Sequence, residues 1–124
     1  MPQSYQIDKE HRVVLSRAWG VFSFADAVAH KDQLLNDADF DPTFSQIVDF
    51  TQVTEMNLSA DEVRAFAQFT VFSSQSRRAL IAPENEKFGL SRMFATLREL
   101  RGETRIGAFR TPEEALDWVL AKSE

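Results

Sequence analysis

The 124-residue sequence contains no cysteine and only four glycines. Disulfides, iron–sulfur clusters and thiolate zinc sites are therefore excluded, so packing must stabilise the fold. The glycines are too dispersed for a phosphate-binding loop. No apolar run approaches the roughly 18 residues of a membrane span, and the N-terminus lacks the pattern of a signal peptide. We therefore expect a cytoplasmic protein.

The sequence also has fewer basic than acidic residues. Fourteen lysines and arginines stand against 19 aspartates and glutamates, which gives a formal net charge of −5. This balance disfavours nucleic-acid binding, which requires a basic surface. His11 and His30 lack the spacing of a zinc site, and His30 is expected at the border of a buried helix face. No metal and no cofactor is predicted.

Phenylalanine, in contrast, is abundant. The chain has 11 phenylalanines against a single tyrosine, in an otherwise ordinary globular composition with 44% hydrophobic residues. Phenylalanine has no polar group, so each must be buried or face an apolar partner. Most should be core, and a surplus could line a pocket or a dimer face. The length fits a single domain over residues 1–124.

Local patterns in the first half predict a hairpin, a helix and a strand. Tyr5–Asp8 and Arg12–Trp19 are rich in strand formers, and Gly20 is predicted to end the second run. Ser23 is a predicted helix N-cap. Ser45–Phe50 has the mixed apolar run of a strand that is covered on both faces.

The second half repeats the alternation of helices and strands. Ser59–Glu62 and Thr111–Glu114 are capping-box sequences that each begin a helix. Arg78–Ala82 and Thr104–Phe109 are short predicted strands, and Phe88–Leu100 is a predicted helix between them. The fold class is therefore α/β, in the order ββαβαβαβα. It has four helices and a mixed, mostly parallel five-stranded sheet with an N-terminal antiparallel hairpin.

Two stretches resemble a known family. IVDFTQVT, which starts at Ile47, is similar to the V-x-D-x-[ST]-x-V-x strand of the SpoIIAA-like family, relatives of the STAS domains of anti-sigma-factor antagonists. FRTPEEALDWVL, at the C-terminus, is similar to the tail of the same family. The resemblance covers Tyr5 to Leu120. It implies a non-enzymatic regulatory or protein-interaction module.

The resemblance also implies a site at a strand-to-helix corner, residues 49–63, after a polar loop. Regulatory STAS members carry a phosphorylatable serine in D-S-x-G, which falls here on Asn57–Ala60. The target serine is replaced by Leu58, and Ser59 is displaced by one residue and already explained as an N-cap. The candidate residues for a partner or ligand are Asp49, Thr51, Thr54, Asn57, Leu58 and Ser59.

Asp49 has two interpretations, because it is a charged residue within an otherwise buried strand. It could mark a ligand site, since clefts lie at the carboxyl ends of parallel strands. Alternatively, it could brace the corner by accepting hydrogen bonds from backbone amides, as buried carboxylates usually do.

The alternative function is a carrier of a small apolar or lipid-like ligand. Members of the wider group resemble Sec14-type lipid-exchange proteins, which have an apolar cleft between helices and sheet. Core packing is the competing explanation for apolar helix faces. An enzyme is not expected, because no acid, base and nucleophile converge. The expected partners are a protein, an apolar ligand or a second copy in a homodimer. The candidate cleft residues are Phe66, Phe69, Phe72, Phe88 and Phe94.

Overall fold

The computed structural model describes residues 3–82 and 85–121, without the side chain of residue 86. Its elements follow the predicted order ββαβαβαβα. They are β1 (Gln3–Asp8), β2 (Val13–Ser23), α1 (Phe24–Leu35), β3 (Ser45–Asn57), α2 (Ala60–Phe66), β4 (Arg78–Ile81), α3 (Asn85–Glu99), β5 (Ile106–Phe109) and α4 (Pro112–Leu120).

One sheet contains the five strands in the spatial order β1-β2-β3-β4-β5. The β1–β2 hairpin is antiparallel, and the other neighbouring pairs are parallel. The prediction of a mixed, mostly parallel sheet is thus confirmed. Consecutive strands are spatial neighbours, so crossovers of the same hand place α1, α2 and α3 on one face of the sheet. Helix α4 packs against the other face.

Strands β2 and β3 are longer than the sequence predicted. The predicted break at Gly20 is wrong, because β2 continues to Ser23 and Gly20 adopts a φ of +63° within it. The polar loop predicted after Phe50 is also wrong, because β3 extends to Asn57. Two register shifts, after Arg17 and after Gly20, place extra residues on β3. These bulges allow a polar, irregular stretch to remain in the sheet.

The two faces of the sheet carry separate cores. The face beneath α1–α3 packs a large apolar cluster that includes Phe22, Phe50 and Leu80. The opposite face packs Ile47 and Ile81 against α4. Helix α4 covers only part of this face, since Leu15, Trp19 and Val21 of β2 are 37–50% exposed.

Capping interactions fix the starts of three helices as predicted. Ser23 accepts a hydrogen bond from the Asp26 amide and forms a reciprocal capping box. Ser59 forms the same arrangement with Glu62 at the start of α2. Thr111 caps α4, which has a proline in its first turn. Each such cap contributes about 1 kcal/mol.

Candidate functional site: an apolar cavity under three helices

The predicted corner residues are not gathered at one place: four are distributed along β3, and Leu58 and Ser59 follow its end. Asp49 is paired in register with Arg17 and faces the α4 side of the sheet, near Leu116. Its Oδ1 accepts a hydrogen bond from the Thr51 amide at 2.8 Å. This contact favours the interpretation of Asp49 as a carboxylate that braces the backbone. Because β3 continues to Asn57, that residue lies roughly 25 Å further along the strand.

The far end of the predicted corner is a helix start. Thr54 and Asn57 are exposed on β3. Ser59 Oγ accepts from the Glu62 amide at 3.1 Å, and the Ser59 amide donates to Glu62 Oε1 at 3.0 Å. Leu58 packs against the large core cluster. The structure therefore gathers residues 57–59 as a capped helix entry and keeps them apart from Asp49.

A cavity of about 110 Å³ lies between the sheet and helices α1–α3. Its walls are mostly apolar and include six of the 11 phenylalanines. Four of the predicted cleft residues, namely Phe66, Phe69, Phe72 and Phe94, contribute to these walls, together with Phe22 and Phe50. The fifth predicted residue, Phe88, lies elsewhere, with the Arg110 guanidinium 4.0 Å from its ring centre.

Phe66 connects the helices around the cavity. Its ring centre lies 6.5 Å from that of Phe24 on α1 and 5.8 Å from that of Phe94 on α3. Helix α2 ends at Phe66. Phe69 follows it, lines the cavity and is 41% exposed, so we place the opening of the cavity beside this ring. Lys31 Nζ lies 4.1 Å from the centre of the Phe69 ring. The opening thus combines an aromatic ring with a cation.

The wall also contains a chain of polar side chains that sequence reasoning did not identify. Arg78 Nε donates to Gln46 Oε1 at 3.1 Å, and Gln46 Nε2 donates to Ser16 Oγ at 3.1 Å. Ser16 Oγ lies 2.7 Å from His30 Nε2. The available signal was alternation: Ser16 lies between Val14 and Ala18 at inward positions of β2. A polar residue in such a row indicates a buried network.

A buried ion cluster holds Arg78, the first residue of this hydrogen-bonded series, in place. Arg78 Nη1 donates to both carboxylate oxygens of Glu103, at 2.9 and 3.1 Å. Arg98 Nη2 donates to the same carboxylate at 3.2 Å, and Arg98 Nη1 donates to the Ala67 carbonyl at 2.8 Å. The Arg78 guanidinium lies 4.5 Å from the Phe72 ring centre. Burial lowers the pKa of Arg78, and Glu103 opposes this shift.

His30 should make stability depend on pH. Burial lowers its pKa from the ordinary 6.5 to about 4, with its own backbone partly opposing the shift and the charge of Arg78 adding to it. The unfolded chain therefore binds a proton between pH 6.5 and pH 4 that the folded chain does not. The stabilisation is complete above pH 6.5 and falls by up to about 3 kcal/mol as the pH drops to 4.

The measurement is urea unfolding at several pH values for the wild type and His30→Gln, which removes the titrating ring. We expect the free energies of unfolding of the two proteins to converge in acid relative to neutral pH. Other titrating groups, including His11, are common to both proteins and cancel in the difference. Parallel pH profiles for the two proteins would show that His30 is not buried in its neutral form.

The described part of the chain contains neither a candidate metal site nor a helix that could span a membrane. Within residues 3–82 and 85–121, no three histidine, aspartate or glutamate side chains cluster in a way that could hold a metal ion. In the same residues, every helix is too short or too polar to cross a bilayer.

The topology defines a SpoIIAA-like fold. The solved structure of an uncharacterized protein from the DUF3478 family, from Shewanella loihica PV-4 and described as having a SpoIIAA-like fold, superimposes with a TM-score of 0.59. The match covers 94% of this chain and 93% of that chain at 16% sequence identity. The resemblance seen in IVDFTQVT is thus confirmed at the level of the fold. No protein-family model and no curated protein matches the chain.

Proposed function

We propose that this protein binds a small, largely apolar molecule in the cavity beneath helices α1–α3. The observation that carries the proposal is the 110 Å³ cavity with phenylalanine walls. Apolar cavities of about 150 Å³ bind benzene in other proteins. A ligand, or the part of a ligand that enters, should therefore be close to a six-membered ring in size.

The packing around the cavity supports this proposal. Protein interiors are close-packed and contain few voids larger than a water molecule. Because this cavity opens to solvent, an apolar ligand that enters would release water from contact with apolar walls. The ligand would also gain dispersion contacts with those walls. The opening beside Phe69 and Lys31 offers a route from solvent.

Filling the cavity with a larger side chain should strongly weaken the binding of an apolar ligand. Ala27 on α1 is buried and lines the cavity, whereas Ala25 on the same helix is exposed. We expect Ala27→Leu to weaken the binding of benzene at least tenfold, because the added isobutyl group would occupy the cavity. Methyl chemical shifts in NMR titrations measure the affinity for the wild type and each variant.

The matched control is Ala25→Leu, which adds the same side chain on the solvent side of α1 and should leave affinity unchanged. Circular dichroism melting checks that both variants are folded. Saturable benzene binding that is equal in the wild type and Ala27→Leu would place the site elsewhere. If benzene causes no change in the methyl chemical shifts of the wild type, the proposal of an apolar binding site is wrong.

We propose a protein-interaction role, with a second copy of the chain as partner, as the second candidate. It is favoured by Leu15, Trp19 and Val21, which are exposed on the uncovered face of β2 on either side of Arg17, because exposed apolar residues that lie together often mark an interface. If they form a homodimer interface, Trp19→Ser should shift the mass in light scattering from dimer to monomer. A wild-type protein that is monomeric at every concentration would rule out this dimer.

A further inference from the structure

A buried hydrogen-bonding atom without a partner lies in the cavity wall. Among the described residues, the buried side-chain atoms that lack a hydrogen-bond partner belong to Gln3 and to Nδ1 of His30. Of these two residues, only His30 lines the cavity. Leaving a buried polar group unpaired costs about 1–3 kcal/mol. The backbone of His30 itself acts on the ring but makes no hydrogen bond of acceptable geometry with Nδ1, so a molecule in the cavity is the remaining source of a partner.

The polar chain allows Ser16 to donate to His30, an arrangement that places the ring proton on Nδ1. The Arg78 guanidinium can only donate, so Gln46 presents its carbonyl oxygen to Arg78 and its amide group to Ser16. Ser16 Oγ accepts that hydrogen bond, and its single proton is free to point at His30 Nε2, 2.7 Å away. When Ser16 donates, His30 Nε2 is the acceptor, and the neutral ring carries its proton on Nδ1. Ser16 Oγ has a second lone pair, so the direction of this contact follows the tautomer of His30.

The His30 ring is also held in a fixed position. The Tyr5 ring stacks on it with centroids 5.3 Å apart and planes 24° apart. Tyr5 is itself anchored, because its hydroxyl donates to Asp37 at 2.7 Å. A ring held by stacking and by the Ser16 contact presents its Nδ1 proton in a constant direction. Such preorganised donors reduce the entropic cost of binding an acceptor.

We propose that the ligand carries a hydrogen-bond acceptor, such as a ketone, ester or ether oxygen, which accepts from Nδ1–H of His30 while its apolar part packs against the phenylalanines. This inference rests on the proposed function and narrows it from any hydrocarbon to a polar-ended apolar molecule. A cationic ligand is disfavoured, because the Arg78–Glu103–Arg98 cluster near the cavity has two positive groups and one negative group.

Two ligands of the same shape test the inference. Cyclohexanone has a carbonyl oxygen where methylenecyclohexane has a CH₂ group, so they differ mainly in the acceptor. Because the ketone also loses water on entering the cavity, the readout is the ratio of the two affinities. His30→Phe keeps an aromatic ring without a donor, and we expect it to lower the affinity for cyclohexanone relative to methylenecyclohexane by about 5- to 10-fold, the worth of one buried hydrogen bond. NMR titrations measure the four affinities.

The tautomer of His30 provides a second readout on the unmodified protein. Long-range ¹H–¹⁵N spectra distinguish Nδ1–H from Nε2–H, and we expect Nδ1–H. Binding of both probes with the same affinity ratio in the wild type and in His30→Phe would overturn the inference while leaving the proposed cavity function intact. A spectrum showing Nε2–H would also overturn it. If neither probe binds, the inference and the proposed function both fall.

Discussion

Glu103→Gln should lower the free energy of unfolding by about 3–5 kcal/mol, the usual cost of removing one partner from a buried ion pair. The Glu103 side chain is 2% exposed and is the carboxylate shared by Arg78 and Arg98. Glutamine has nearly the same shape but no charge, so both guanidiniums would remain buried without compensation. Urea unfolding monitored by circular dichroism measures the change.

The control for this prediction is Glu55→Gln, the same substitution at an exposed position of β3. Exposed charges contribute little to stability, so we expect a change below about 1 kcal/mol. If Glu103→Gln and Glu55→Gln are equally mild, the ion cluster is open to water and does not support the cavity wall.

Phe72→Ala should also lower the free energy of unfolding by a large amount. Phe72 is 3% exposed, contacts Phe40 edge to face at 5.2 Å and lies under the Arg78 guanidinium. Truncating a buried phenylalanine removes its transfer free energy and leaves a void, which together cost about 3–5 kcal/mol. Because Phe72 also lines the cavity, the variant should have a larger cavity. Thermal and urea unfolding measure the loss of stability.

Phe69→Ala is the matched comparison, because Phe69 lines the same cavity but is 41% exposed. Its truncation should cost about 1 kcal/mol, since much of the ring is already in contact with water. A similar loss for both variants would contradict the placement of Phe72 inside and Phe69 at the opening. If Phe72→Ala remains folded, it should bind toluene more tightly relative to benzene than the wild type does.

The sequence predicted elements that depend on local chemistry. Ser23, Ser59 and Thr111 could be identified as helix caps because a capping residue contacts its own first turn. The element order also followed from local patterns, since helix and strand periods differ along the chain. The parallel arrangement then followed from the alternation of helices and strands.

The errors arose where distant contacts decide local structure. The segment after Phe50 is polar and reads as a loop, yet β3 continues because β2 offers a long partner strand and bulges absorb the irregular residues. Gly20 was predicted to end β2 because glycine is unfavourable in strands, yet β2 continues because Gly20 pairs with Val53 of β3. Intrinsic preferences in strands are easily overridden by such pairing.

The cavity could be predicted only in part. The excess of phenylalanine predicted a core with a surplus that could line a pocket or a dimer face, and four of the residues that line the cavity were among the candidates. Phe88 was misplaced because the face that a helix buries depends on which neighbours it meets. The chain from Arg78 to His30 joins residues far apart in sequence, so no single segment displays it.

The brevity of α2, only seven residues, has a consequence for exchange with the surroundings. A helix of this length has no stability of its own and persists only through its tertiary contacts. It also forms part of the roof over the cavity, through Val63 and Phe66. Transient fraying of these roughly two turns would admit or release a guest molecule while the sheet below stays intact.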